Sequence, residues 1–371
     1  MNFLLLTSFG EVMSYIGYIL LAVLVLLVMI TVHELGHYIA GKIFGFGIQE
    51  FAIGFGPKIY KKEKKNGEIF SVRLFPLGGF CSFKGEDEKG EDPEDFNNKK
   101  PWQRLIVLVS GAFMNYLLAL LIIIFTFSVY GRACFKVAEV DASADYPSTY
   151  SLRADDVILK ADGRNIYLVT DLMDALNNKN KGDLVDFLVV RDGEEQTVKI
   201  MLREDARFSS IEDYSPIITV LGTFKTNEDG DKLGTLYSTN VKTGFFKTIG
   251  RSFQYSFRLG GTVFTVLGQL ISGKIGIGSV GGTVTTIVVT ADAIKTGGFQ
   301  YLLYITSLIG VNLAVFNLLP FPALDGARAV FCLIEWIFRK PVNRKVEAVI
   351  HAVGFVLLLL FAVFVDLQRC F

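Results

Sequence analysis

The sequence predicts a polytopic α-helical membrane protein with four transmembrane helices, a membrane-associated β-hairpin sheet and one extracytoplasmic α+β domain. Three observations predict it. Residues 12–32, 105–130, 299–324 and 348–365 contain no Asp, Glu, Lys or Arg, and about 20 apolar residues cross roughly 30 Å of hydrocarbon. Residues 48–85 alternate apolar and polar side chains, punctuated by FGP, KNG and PLGG turn signals. Between the second and third apolar windows, short apolar runs are separated by charged turns. The chain is 51% hydrophobic, and its 37 basic and 37 acidic residues cancel. That balance argues against a nucleic-acid partner.

Taken in order, residues 1–44 form the first transmembrane helix. The helix lacks a basic leader and runs straight into the stretch HELGH, so it is read as a retained span rather than a cleaved signal. Residues 45–100 are a cytoplasmic-side re-entrant β region followed by the acidic run Gly85–Asp95, a solvated loop. A sheet dipping into the membrane must have its backbone paired or facing a cavity. Residues 101–130 are the second span.

Residues 131–235 are the α+β module. "DDVILKADGRNI" reads as strand, turn, strand, and "DLMDALNNKNK" as a short helix. "LVDFLVVRDGEEQTVKIML" reads as two strands joined at Asp192-Gly193, a strong hairpin signal. Residues 236–298 hold an amphipathic helix and a Gly-rich segment. In that helix Phe245, Phe246, Ile249, Phe253 and Phe257 recur with Lys247, Arg251 and Arg258 between them, a pattern suited to the membrane interface. Residues 299–328 are the third span, and 329–371 a cytoplasmic connection and the fourth. Basic residues cluster at 42–73, 99–104 and 328–345, so the positive-inside rule predicts a cytoplasmic position for these segments, with both termini outside. The cysteines Cys81, Cys134, Cys332 and Cys370 have neither zinc-ribbon nor disulfide-framework spacing. Cys134 and Cys370 fall on the same predicted side, which leaves a bridge between them open.

The chemistry lies where charge first enters the first span. His33 and His37 are at i and i+4, so on a helix both imidazoles leave one face and can hold one zinc ion. Glu34, beside His33, is placed to take a proton from an attacking water. Two of the chain's three histidines fall in this motif, and an acidic residue within a membrane helix is functional by default. Catalytic zinc takes three protein ligands and keeps one position open. The third histidine, His351, lies in the fourth span without a neighbouring motif. The candidate is in "NLLPFPALDG": Pro320 and Pro322 break the third span, and Asp325 follows at the depth of the histidines, with Gly326 permitting a tight turn. Alone, Asp325 reads as a helix-terminal charge; beside a two-histidine site it reads as the missing ligand. A zinc transporter or sensor would need further polar residues along the spans. A catalytically silent membrane scaffold would not need an intact HELGH.

HELGH and NLLPFPALDG resemble the paired signatures of the site-2 protease family, H-E-x-x-H and N-x-x-P-x-x-x-L-D-G. Asn317, Pro320, Leu324, Asp325 and Gly326 match the second. Along its whole length the chain is similar to the bacterial regulator-of-sigma-E protease group, which has four spans and an extracytoplasmic PDZ insert. "RLFPLGGFCSFKGEDE" resembles that group's re-entrant β-loop, "SGAFMNYLLALL" its second-span Gly-Asn segment, and "RKPVNRKVEAVIHAVGFVLLLL" its last span. The PDZ-like insert reads "SLRADDVI" where the group has G-L-x-x-G-D-x-I, and so lacks both glycines.

The resemblance implies an intramembrane zinc metalloprotease of the bacterial cytoplasmic membrane acting in regulated intramembrane proteolysis. Its substrates would be single-span membrane proteins, such as an anti-sigma factor, or remnant signal peptides. Zn2+ would be held by His33, His37 and Asp325, with Glu34 as general base. Asn317 would hydrogen-bond substrate, with Pro320 beside it and Asn115 as a second polar contact. Gly78 and Gly79 would let an extended substrate segment approach the hairpin edge.

Overall fold

The computed structural model describes residues 9–86, 91–141, 148–208, 215–227, 231–340 and 342–368. Cys370 and residues 87–90 of the acidic run lie outside these. The elements in order are α1 (Phe9–Ile43), β1 (Ile48–Glu63), β2 (Ile69–Phe83), α2 (Pro101–Val129), β3 (Arg132–Val137), β4 (Val157–Ala161), β5 (Arg164–Asn165), α3 (Val169–Leu176), β6 (Leu184–Arg191), β7 (Glu194–Met201), α4 (Pro216–Leu221), β8 (Phe224–Thr226), β9 (Lys232–Gly234), β10 (Leu236–Val241), α5 (Phe245–Ile271), α6 (Thr283–Leu318), α7 (Asp325–Phe338) and α8 (Arg344–Gln368). They form two compact units. One holds the chain up to residue 125 with 252–265 and everything from 277 on; the other holds 126–251 and 266–276.

In the first unit, α1, α2, α6 and α8 are long and apolar enough to cross a membrane. Small residues set their closest approaches, as packing in a lipid solvent favours. A Cβ on Gly36 of α1 would strike the Ser110 carbonyl and lie 2.9 Å from the Gly111 Cα of α2. On Gly310 of α6 it would lie 2.9 Å from the Ala119 Cβ and 3.3 Å from the Met29 sulfur. The fully buried Arg104 of α2 donates to Glu335 of α7 at 2.5 Å, and Arg344 at the start of α8 reaches the same carboxylate at 2.8 Å.

The third long apolar helix departs from the sequence reading at its C-terminal end. α6 begins at Thr283, but Gly298 (φ 61°, ψ −147°) breaks it in two, so its second segment starts at 299, where the span was expected. The segment before the break lies outside the charge-free window because Asp292 and Lys295 belong to it. Both are accommodated by α1: the Tyr15 hydroxyl donates to Asp292 at 3.0 Å, and the Lys295 ammonium lies 5.7 Å from the Tyr15 ring centre. The helix ends at Leu318, so residues 325–328 open α7 instead of closing the span. Gly326 is helical and does not make the tight turn; the left-handed residue is Ala323, at φ 80°. A Cβ on Gly326 would run into the carbonyls of Leu318 and Leu319, so this glycine lets α7 start against the end of α6. At the opposite end of α6, Asp366 of α8 caps the helix by accepting from the Val284 and Thr285 backbone N–H groups at 3.1 Å.

The β layer of this unit is more folded than a plain hairpin. Phe51 faces Cys81 on one side and Phe70 on the other, and Lys61 and Lys62 face Ser71 and Phe70. Residues 50–53 therefore lie between 69–72 and 79–83, and 79–83 is an outer edge. Glu50 anchors the layer, accepting from Ser71 at 2.6 Å, Arg73 at 2.8 Å and Lys58 at 3.0 Å.

The second unit is an antiparallel sheet in the order β10-β3-β4-β6-β7, with β5 paired to β4 and a separate β8–β9 pair. The predicted turns form at Asp162-Gly163 and Asp192-Gly193, with positive φ at both positions of each. Helix α3 starts where Asp171 accepts from the Tyr167 and Leu168 N–H groups at 2.8 Å. It packs Leu172 and Leu176 against Ile158, Phe187 and Ile200. The boundary expected at 235 falls one strand short: β10 pairs along β3, from Leu236↔Val137 to Val241↔Arg132. Where the sequence lacks its second glycine, Asp155 itself takes the left-handed conformation (φ 69°). The next residue, Asp156, is fully buried and held by Arg191 at 2.7 and 2.8 Å.

Candidate metal centre

Two residues four apart on α1 project to one side, and there His33 and His37 are buried with their Nε2 atoms 3.2 Å apart. Asp325, the first residue of α7, brings Oδ2 to 2.9 Å from the His33 Nε2 and 3.3 Å from the His37 Nε2. These three residues can be expected to hold a metal ion together. Bonds of roughly 2.0–2.1 Å at tetrahedral angles place neighbouring ligand atoms about 3.3 Å apart, so two imidazoles and a carboxylate at these separations fit zinc.

The surroundings aim the ligands. The His37 Nδ1–H donates to the Val107 carbonyl of α2 at 2.8 Å, which leaves the Nε2 lone pair facing the centre. The His33 Nδ1 is met by two amides, Asn115 of α2 at 3.5 Å and Asn317 of α6 at 3.4 Å. A His33 that binds metal through Nε2 carries its proton on Nδ1, so an amide oxygen belongs opposite it. The buried Oδ1 of Asn115 has no other partner and supplies that acceptor when the amide is turned over.

Gly111 of α2 is a site residue that the sequence reading marked only within the Gly-Asn segment, without a role at the metal centre. A Cβ there would lie 2.8 Å from the His33 Cε1 and Nε2 and would overlap the His37 Nε2. The available signal was its spacing: Gly111 and Asn115 are i and i+4 and share one face of α2.

Glu34 is half-buried and has the Cys81 backbone as a hydrogen-bond partner, on the edge segment 79–83. It lines two cavities flanking the ligands. One, of about 290 Å³, also includes His33, Asn115, Asn317 and Asp325. The other, of about 380 Å³, includes His37, Phe80 to Phe83, Asp325, Arg328 and His351. Gly79 packs between strand and helix; its Cβ would lie 2.9 Å from the Ala52 carbonyl oxygen and 3.5 Å from the Glu34 Cγ. Gly78 (φ 122°) serves the backbone, with the Phe55 ring where a Cβ would go. Pro320 lies just beyond the end of α6, is exposed, and lines neither cavity. The structure thus gathers His33, Glu34, His37, Asn115, Asn317 and Asp325, with Gly79 alongside, and leaves Gly78 and Pro320 outside. Cys81, Cys134 and Cys332 are free thiols.

The arrangement offers three metal ligands, a carboxylate beside them and room on either side, which is the constellation of metal-assisted hydrolysis. A sequence model described as Peptidase family M50 matches residues 21–361. A protein of Clostridium perfringens is 34% identical over 95% of this chain and 98% of its own length. A protein of Fusobacterium nucleatum is 31% identical over 94% of this chain and 97% of its own length. One of Mesorhizobium japonicum is 27% identical over 96% of this chain and 100% of its own length. Each carries the name "Putative zinc metalloprotease".

Proposed function

The chain belongs to Peptidase family M50, and on that premise we propose that this zinc metalloprotease hydrolyses peptide bonds inside the transmembrane segments of its substrates. The observation that carries the reading is that His33, Glu34 and His37 sit within a helix apolar enough to cross a membrane, where Asp325 meets them. A site for soluble peptides has no need of such a position.

His33, His37 and Asp325 would hold the zinc ion, which when bound would supply Lewis acidity toward the scissile carbonyl and the attacking water. Glu34 takes the proton of the attacking water and returns it to the leaving amine. A helical substrate hides its carbonyls in i→i−4 hydrogen bonds and must unwind before attack. The outer edge at 79–83 suits the unwound segment, which adds as a further strand, and Gly79 lets that edge pack close to Glu34. Asn317, which lines the 290 Å³ cavity, serves substrate as well as His33.

In this reading the protein lies in the bacterial inner membrane with both termini outside, as the basic flanks require. The insert is an extracytoplasmic PDZ-like domain, and α5 rests on the membrane surface with Phe246, Phe257 and Phe264 exposed. Its substrates are single-span anti-sigma factors or remnant signal peptides, cut in regulated intramembrane proteolysis. The test is purified protein incubated with a panel of single-span substrates, with and without a zinc chelator. Cleavage within the apolar segment, abolished by chelation and restored by zinc, is expected. Cleavage confined to soluble loops contradicts the proposal.

A further inference from the structure

His351 is the histidine that the metal centre does not use. It lies on α8, and its Nδ1 receives the backbone N–H of Ala323 at 3.0 Å. A backbone N–H can only donate, so Nδ1 is the acceptor and the ring proton is on Nε2. Three residues along α8, Gly354 meets the preceding residue of the same link: a Cβ there would lie 2.8 Å from the Pro322 carbonyl carbon and oxygen. One turn of α8 thus grips Pro322 and Ala323 together. The His351 ring is held edge-on by Phe331 of α7, with centroids 5.9 Å apart. Its buried Nε2 has no protein partner, so the Nδ1 bond is the ring's polar anchor.

What this grip holds matters for the metal. Ala323 has φ 80°, a conformation that a residue with a Cβ keeps only when its surroundings over-determine it. Asp325 follows two residues later at the start of α7, and the course of the link decides where its carboxylate arrives. We infer that His351 is a positioning residue for Asp325: the His351–Ala323 hydrogen bond fixes the link between α6 and α7 so that the Asp325 Oδ2 meets the two imidazoles. The fourth span then completes the metal centre besides anchoring the chain. This inference rests on the zinc reading above.

The test compares full-length His351→Asn, His351→Gln and His351→Leu with wild type. The Asn Oδ1 sits close to where the His Nδ1 was and can accept the Ala323 N–H; the longer Gln carries its oxygen past that point, and Leu offers no acceptor. The readouts are zinc affinity by chelator competition and the ligand-field absorption of the Co2+-substituted protein. Supporting groups around a metal typically contribute 10–100-fold in affinity. His351→Leu and His351→Gln should weaken zinc binding within that range and alter the cobalt spectrum, while His351→Asn stays close to wild type. Wild-type affinity and an unaltered spectrum in both His351→Leu and His351→Gln overturn the inference, as does an Asn variant as weak as Leu. If His351→Leu does not purify folded, the contrast between Gln and Asn decides. Asp325→Ala, measured alongside, separates the two claims. If it too leaves zinc affinity intact, the ligand assignment has failed; if it alone loses zinc, only the role of His351 has.

Discussion

Glu34 and the two histidines occupy little more than one turn of α1 but differ in what each can lose. Glu34 makes no metal bond in this account, so Glu34→Gln should keep zinc and the fold while cleavage falls by about 10²–10⁴-fold, the usual range for a positioned acid–base group. The sequence showed these three because i and i+4 spacing is local geometry. It did not show that Asn115 and Asn317, read as substrate contacts, both converge on the His33 Nδ1. That convergence depends on three helices meeting. Either amide can serve His33, so Asn115→Ala and Asn317→Ala should each retain zinc. The double variant should lose affinity about 10–100-fold, measured by chelator competition. Gly111 was read only as part of a Gly-Asn segment, because what matters there is a missing side chain: a Cβ would overlap both imidazoles. Gly111→Ala should therefore lose zinc, whereas Gly17→Ala on α1, with open space around it, should not. Equal zinc content in the two alanine variants would show that α2 does not press on the site as described.

The link between α6 and α7 was legible as a break, because two prolines cannot continue a helix. Which residue bends it was not legible. Composition favoured Gly326, but that glycine serves a close helix approach, and the left-handed conformation falls on Ala323. The β layer has a similar lesson. Alternation marked the strands, whereas the placement of 50–53 between two partners comes from pairing that no local pattern records. Glu68 ties this layer to α1, accepting from Lys42 at 2.6 Å and Lys64 at 2.7 Å. Burial pushes its carboxyl up, but hydrogen bonds from Lys42, Lys64, Tyr38 and Asn66 outweigh that and hold it at about 2, below its ordinary 4.5. A carboxyl whose pKa is lowered by folding stabilises the folded state above the unfolded value. That contribution disappears as pH falls from about 4.5 through about 2. The protection of residues 69–73 against hydrogen exchange, taken relative to the intrinsic rate at each pH, should therefore fall across that window in wild type, and the fall should be smaller in Glu68→Gln. An unchanged profile in the variant would remove Glu68 as the tie.

Four apolar windows were enough to read the membrane class of the whole chain, and the third begins where Gly298 breaks α6. The helical stretch 283–297 before it was not read as packing on the spans, because a count of charges does not see that Tyr15 of another helix satisfies Asp292. The insert's end was missed for a related reason: β10 returns to pair with β3, about 100 residues earlier in sequence. Orientation rests on the basic flanks. Cysteines placed at the exposed positions Arg164 and Lys65 should be labelled only from outside and only from the cytoplasm, respectively; the reverse pattern would invert the topology. If the insert screens substrates, intact protein should cleave a substrate trimmed outside the membrane faster than one carrying a bulky folded domain there. Equal rates would leave the insert without a screening role.

The central claim is that one zinc, held by His33, His37 and Asp325, works with Glu34 on a membrane-embedded peptide bond. Zinc content and product formation, measured together on wild type, His33→Ala, His37→Ala, Asp325→Ala and Glu34→Gln, test it most directly. The account predicts about one zinc per chain in wild type and Glu34→Gln, depleted zinc in the three ligand variants, and cleavage by wild type alone. Full zinc and full activity in Asp325→Ala, or cleavage by Glu34→Gln at the wild-type rate, would contradict it.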